Sequence, residues 1–281
     1  MCGVFGYVNY GGLIDDVQIK EIYLALSKEC SIRGASASGV SYVEQKELKV
    51  QKSPCDITRA DYHIPWNAVT VMAHCRYDIQ NNHGVNQNNH PFLGKTLNNI
   101  PYALAHNGIL ADMRTIREQY HLSDTEIETD SYGAVQLLNT MDCVDISHLK
   151  LLCESLNGSY TFTILDGDNN LFLCRGDVPI FLIHFREYKL YLYISTRDLF
   201  EAAIKRTDLD YIYRTNNVEI HRSPVTVLHV NQGDIVQITR HGELKKGSFV
   251  FREEKAICHN WYMHQIVSTP RLEQQISHLN N

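Results

Sequence analysis

The chain opens Cys2-Gly3-Val4-Phe5-Gly6, directly behind Met1. That placement constrains the fold from its first residue. Val4 to Asn9 is a short apolar run closed by Gly11-Gly12, so it reads as a buried strand with Cys2 at its free end. Removal of Met1, expected before so small a residue, gives Cys2 both a thiol and a free α-amine. Their ordinary pKa values, about 8.5 and about 7.7–8.0, lie close together. One residue then holds a nucleophile and a base able to take its proton, directly or through a water, with no neighbouring histidine needed. Taken alone, Cys2 is better read as a small buried hydrophobe, the usual behaviour of a free cysteine. The rest of the chain reverses that reading.

With 281 residues, 44% of them hydrophobic, the chain can bury a full core as one large domain or two small ones. A formal net charge of −6 argues against a nucleic-acid binder driven by phosphate neutralisation. No apolar stretch approaches the ~20 residues of a membrane helix. The N-terminus carries Asn9, Gly11, Gly12, Asp15 and Asp16 instead of the basic and apolar regions of a signal peptide, so a cytosolic location is expected. The eight cysteines are scattered, with no Cys-x-x-Cys pair, and read as reduced thiols. Cys258 with His259 and His264 is too sparse a group to signal zinc, so neither a metal nor a cofactor is expected.

Along the chain, Asp15 to Glu29 reads as a helix with one apolar face, and Val40–Val43 with Glu47–Val50 as a strand pair. Ala68 to His74 is a buried strand delivering Arg76 to its exit. Tyr102 to Ala105 is a short strand ending at His106-Asn107-Gly108. Helices follow over Asp112–Tyr120, Asp130–Met141 and Ile146–Leu156. Strands then return over Ser159–Asp166, Leu171–Arg175, Pro179–His184 and Lys189–Ser195. Val225–Val230 and Asp234–Arg240 resemble a hairpin around Gln232-Gly233. Strands, helices and strands without regular alternation predict a layered α+β fold.

Several motifs occur in one order: Cys2-Gly3-Val4-Phe5-Gly6, Arg33-Gly34 through Gly39, His74-Cys75-Arg76-Tyr77, Asn89-His90-Pro91, His106-Asn107-Gly108, Thr129-Asp130, Gly158-Ser159-Tyr160 and Arg175-Gly176-Asp177-Val178-Pro179. Together they resemble the glutaminase domain of class II glutamine amidotransferases, the N-terminal-nucleophile hydrolases, as found in glucosamine-6-phosphate synthase and amidophosphoribosyltransferase. The resemblance covers residues 2–243 and leaves 244–281 as a C-terminal tail. It implies a four-layer αββα sandwich of two mainly antiparallel sheets. It also implies that L-glutamine is hydrolysed to glutamate and ammonia through a thioester on Cys2. Asn107 and the Gly108 N–H would hold the oxyanion. Arg76 would bind the substrate carboxylate and Asp130 its ammonium, with Tyr77 and His106 also at the substrate. Read without the resemblance, Asn107-Gly108 is a turn dipeptide and Asp130 a helix N-cap.

Two departures stand out. Ser36 occupies the place where the family usually carries an acid, and Tyr77 to Gly84 is longer than the family's compact loop over glutamine. In the tail, Asn260-Trp261-Tyr262 through Ile266 to Pro270 is loosely similar to the stretch that opens the sugar-isomerase half of glucosamine-6-phosphate synthase. The expected arrangement is a stand-alone glutaminase passing ammonia to a separate synthase subunit with an amino-sugar or nucleotide-type acceptor. Trp261, Tyr262 and Ile266 would dock a partner or fold back on the body, docking being the favoured of the two, and homo-oligomerisation stays open. The alternatives are an amidase acting on another γ-amide, or a non-catalytic glutamine-binding protein.

Overall fold

The computed structural model describes residues 2–78, 82–216 and 223–252. In chain order the strands are β1 (Gly3–Asn9), β2 (Ala37–Glu44), β3 (Glu47–Ser53), β4 (Thr70–Arg76), β5 (Phe92–Lys95), β6 (Pro101–Ala111), β7 (Asn157–Asp166), β8 (Leu171–Arg175), β9 (Phe181–Phe185), β10 (Leu190–Ile194), β11 (Val225–Leu228), β12 (Asp234–Ile238) and β13 (Leu244–Ser248). The helices are α1 (Asp16–Cys30), α2 (Met113–Gln119), α3 (Ser131–Asn139), α4 (Ile146–Ser155), α5 (Arg197–Ile204) and α6 (Leu209–Thr215). A 7-stranded sheet runs β11-β9-β10-β1-β4-β2-β3, and a 6-stranded sheet runs β13-β12-β8-β7-β6-β5. Every strand pairing is antiparallel.

Both sheets are covered on both faces, and their strands show it. In β1, Phe5 and Tyr7 pack with Ile19, Ile22, Tyr23 and Leu26 of α1, while Val4 and Val8 turn to the other face. There they meet Ala103 and Ala105 of β6 and Leu171 and Leu173 of β8. Alternate residues of a strand face opposite sides, so one run of apolar residues serves two cores. Beyond the second sheet, Leu104, Phe162 and Ile164 pack against Val135 and Leu138 of α3 and Leu149 and Leu152 of α4. The order of layers is helix, sheet, sheet, helix: the αββα sandwich expected from the resemblance.

α1 begins where Asp15 accepts a hydrogen bond from the Gln18 N–H at 2.8 Å, a side-chain cap for an otherwise unpaired amide. Its buried residues recur at helical spacing, which is why this segment is legible in the sequence. Two expectations change. Val225–Leu228 and Asp234–Ile238 form no hairpin with each other: β11 pairs with β9 in the first sheet, and β12 pairs with β8 and β13 in the second. The Gln232-Gly233 turn carries the chain between sheets. The strand expected over Tyr102–Ala105 runs on to Ala111, so His106-Asn107-Gly108 lies inside β6 and not at its end.

β13 falls past Glu243 and completes the second sheet, while Phe249 and Phe251 lie near Tyr160 with ring centroids 6.2 and 5.6 Å away. Met1, residues 79–81 of the long loop, and the tail with Trp261, Tyr262 and Ile266 lie outside the described residues, as does the group Cys258, His259 and His264. Among the described residues no helix is long and apolar enough to cross a membrane.

Candidate active site

Strand parity assembles the site. On β1, residues 4 and 8 face the seam between the sheets, so position 2 is directed there at the strand's start. On β4, Met72 faces the same seam and Arg76 follows in phase; on β6, Ala103 and Ala105 do, and Asn107 follows in phase. The strands are brought into line by their pairing. Gly3 lies opposite Cys75 in the β1–β4 ladder, and His74 of β4 reaches across the seam to the His106 carbonyl at 3.0 Å. The residue before Arg76 is thus tied to the nucleophile's strand, and His74 ties β4 to the residue before Asn107.

Cys2 is half-buried, and its thiol lies 3.8 Å from the Tyr77 carbonyl. Arg33 fixes the backbone beneath it, its Nε donating to the Cys2 carbonyl at 2.8 Å. Burial pushes the Cys2 thiol up from its ordinary pKa; the N-terminal charge, the Tyr77 backbone contact and Arg76 pull it down, and Asp130 pushes it further up. The resting group is a neutral thiol, so a base must take its proton before it attacks. Arg76 and Asp130 are both among the charges that act on it, which places both in the field of the nucleophile.

Asn107 is fully buried, and neither its Oδ1 nor its Nδ2 has a hydrogen-bond partner. Buried amides are nearly always paired, so an orphaned one needs a reason. Gly108 has φ of +146°, and a Cβ there would lie 1.9 Å from the Ser159 carbonyl oxygen. Only glycine holds this backbone. The turn reading of Asn107-Gly108 gives way to a strand with a local irregularity. Asp130 does occupy the N-cap position of α3, yet its side chain makes no capping bond. Its Oδ2 accepts from the Leu110 N–H at 2.6 Å, so the carboxylate is turned towards β6.

His106 takes the other side of β6. Its parity is opposite to that of Asn107, and its Nδ1 lies 2.8 Å from the Ser131 hydroxyl on α3. It fastens the start of α3, next to Asp130, and does not line the seam face shared by Cys2 and Arg76. Tyr77 meets the nucleophile through its backbone carbonyl.

The surroundings of Arg76 were not foreseen. Its guanidinium donates to Asn89 at 2.6 Å, to Asn82, and to Asp78 at 3.4 Å. Arg76 and Asp78 are both buried, their side chains only 6% and 1% exposed. Asp78 also accepts from the His83 backbone N–H and lies against His83 Nδ1, both at 2.7 Å. Ser36 sits beside this group: its N–H donates to the Arg76 carbonyl, and its hydroxyl accepts from the Asp78 N–H at 3.3 Å. A carboxylate thus lies beside the serine at position 36, that of Asp78. Gly34 makes the approach possible, since a Cβ there would lie 2.4 Å from the Arg76 carbonyl carbon. The signal in the sequence is the acid two residues after Arg76 at a strand exit, opposite a serine that replaces an acid.

Behind the site, His74, His90 and His106 form a buried group, with ring centroids 4.3 Å apart for His74 and His90 and 6.4 Å for His90 and His106. Burial lowers all three pKa values, that of His74 from 6.5 to about 3. Near neutral pH these rings are uncharged in both folded and unfolded chains. Below about 6.5 the unfolded chain takes up protons that the folded one refuses, so stability falls as the pH falls, until the folded rings titrate. The urea midpoint is expected to drop between pH 7.5 and 5, a window in which most carboxylates stay ionised. A flat midpoint across it would contradict the burial of these rings as neutral groups.

No family model matches the chain. In sequence it is similar to an isomerizing glutamine–fructose-6-phosphate aminotransferase from Bradyrhizobium diazoefficiens, with 24% identity over 201 residues, covering 68% of this chain and 31% of that protein. In fold it is similar to the glutamine phosphoribosylpyrophosphate amidotransferase of B. subtilis, with a TM-score of 0.66 and 20% identity over 89% of this chain and 50% of the other. A structure described as the allosteric regulatory enzyme of purine biosynthesis gives a TM-score of 0.67, also at 20% identity, with the same shares covered. The chain thus spans about a third of its sequence relative and half of each solved chain. The resemblance to class II glutamine amidotransferases read from the motifs is present in both sequence and fold.

Proposed function

We propose that this chain hydrolyses the side-chain amide of L-glutamine, with Cys2 as the nucleophile. The observation that carries the reading is the buried, unpartnered Asn107 amide, directed to the same seam as a neutral Cys2 thiol that lies in the field of Arg76 and Asp130. With Met1 removed, the Cys2 α-amine takes the thiol proton as Sγ attacks the amide carbon. The amide oxygen becomes an oxyanion held by Asn107 Nδ2 and the Gly108 N–H. Collapse breaks the C–N bond, the nitrogen takes up the proton, and ammonia leaves. Cys2 then carries a γ-glutamyl thioester, which water hydrolyses to glutamate and free thiol. Arg76 forks onto the substrate carboxylate and Asp130 meets the ammonium. Intact-mass measurement after rapid acid quench tests the step directly: glutamine should add one γ-glutamyl group to Cys2. Turnover without a Cys2 adduct, under conditions that trap one in a known thioester enzyme, would count against it.

The acceptor half of the reaction falls to a separate synthase. The relative matched in sequence has a name that couples glutamine to fructose-6-phosphate, which supports an ammonia-using synthase as the acceptor side. Ammonia release should rise when the cognate synthase is added.

A second reading has an observation of its own. Arg76 already faces a buried carboxylate, that of Asp78. A substrate carboxylate must compete with it, which favours a γ-amide lacking a free α-carboxylate. Asp78→Asn separates the two, because it keeps the shape and removes the charge. If glutamine is the substrate, KM for glutamine should fall several-fold with kcat retained. If KM for glutamine is unchanged while a substrate without the carboxylate loses nothing, the second reading gains.

A further inference from the structure

A second group of reactive side chains lies far along the chain from Cys2, at the turn between α3 and α4. Cys143, Asp145 and His148 point at one another there. The Cys143 thiol is 3.2 Å from Asp145 Oδ2 and 3.3 Å from His148 Nδ1, and His148 Nδ1 is 2.9 Å from Asp145 Oδ1. Asp145 turns one carboxylate oxygen to each of the other two, so the three side chains form a closed ring and not a relay. A single ring nitrogen faces both the thiol and the carboxylate, although it has only one hydrogen or one lone pair to offer. The cap of α4 explains only part of this. Asp145 caps by accepting from the His148 backbone N–H at 2.9 Å, which requires neither the thiol nor the imidazole.

We propose that Cys143, Asp145 and His148 bind a zinc-type divalent cation, with water completing a fourth position. A tetrahedral zinc with sulfur at ~2.3 Å and nitrogen and oxygen at ~2.0–2.1 Å sets donor–donor edges of about 3.3–3.6 Å. The separations observed, 3.2, 3.3 and 2.9 Å, the first and last to different oxygens of the one carboxylate, are near those edges, and one ligand atom from each residue lies within 4.8 Å of the others. The donors suit the ion in kind. One thiolate, one imidazole and one carboxylate favour zinc or cobalt over magnesium or calcium, which take oxygen alone. Thiolate and carboxylate also supply two negative charges, so a divalent ion leaves the group neutral. Access is open: the His148 side chain is 26% exposed and that of Asp145 49%. The buried Val144 between them holds the turn to the core, which fixes the spacing of the ligands. The pattern Cys-x-Asp-x-x-His contains no cysteine pair, so a search for zinc motifs passes over it.

The site is independent of the glutamine reading and is tested apart from it. The full chain is treated with chelator, desalted and titrated with Co²⁺ alone, then with Zn²⁺. One equivalent of cobalt should give a thiolate-to-cobalt charge-transfer band with the d–d bands of a four-coordinate ion, and zinc should displace both. Cys143→Ser should abolish the charge-transfer band. Asp145→Asn, which keeps a capping residue, should weaken cobalt binding without lowering the metal-free thermal midpoint. Cys2→Ser should leave the band intact. Lack of the band in the wild-type chain overturns the proposal. So does a band that survives Cys143→Ser and is lost in Cys2→Ser, which would place the ion at the nucleophile.

Discussion

Cys2→Ala is expected to reduce glutamine-dependent release of glutamate and ammonia by at least about 10⁴-fold, the scale on which losing a nucleophile acts in a site that works as a unit. The residual rate would come from the oxyanion donors and substrate binding alone. The fold should be unaffected. Cys2 precedes β1, and the ladder partners of that strand begin at Gly3. The β1 backbone is further held by the Ser195 hydroxyl, which accepts from the Val4 N–H at 2.9 Å. Thermal midpoint and glutamine binding should therefore survive the substitution. The comparison is made on protein whose N-terminal mass shows Met1 removed, since the base in this mechanism is the α-amine of Cys2. Cys2→Ser tests the chemistry more finely: it keeps the shape and the amine but offers a hydroxyl that ionises far less readily than a thiol. Its rate should lie well below wild type even with substrate bound. Undiminished ammonia release by Cys2→Ala would remove the nucleophile from the proposal, whatever the motifs suggest.

What the sequence makes legible follows from how local each signal is. α1 is readable because Ile19, Ile22, Tyr23 and Leu26 recur at helical spacing behind an Asp15 cap. β1 and β4 are readable because both faces are covered, and such strands are apolar throughout. The failures are of pairing and of extent. β11 and β12 carry the composition of a hairpin, but which sheet each strand joins is decided by β9 and β8, some fifty residues upstream on average. α5 is short, and its apolar residues Phe200, Ala203 and Ile204 gain meaning only once α1 is beside them. In the proposed site, Cys2, Arg76, Asn107 and Asp130 are singled out by their motifs. Parity then separates them from His106, whose neighbour in sequence faces the opposite way. Asp78 was hidden for a different reason. Its role depends on a buried contact with Arg76 and on Ser36, which meet only when the α1–β2 turn is folded against the end of β4.

Asn107 offers the sharper test, because activity and stability should move in opposite directions. A buried amide with neither atom paired costs stability, about 1–3 kcal/mol for an unmet polar group. That cost makes physical sense only if the amide meets a partner during the reaction. Asn107→Ala should lower kcat by about 10²–10³-fold with little change in KM, the signature of a donor that acts on an oxyanion and not on the bound substrate. Asn107→Leu, branched at Cγ like asparagine and apolar like Ala105 beside it on the seam face, should remove the same rate while raising the thermal midpoint. A structural amide would behave otherwise: its loss would lower the midpoint and disturb KM and kcat together. Gly108 cannot be probed as cleanly, since any side chain there collides with the Ser159 carbonyl. The two Asn107 variants avoid that difficulty. If Asn107→Leu is less stable than wild type and keeps its kcat, the oxyanion role fails even though Cys2 remains essential.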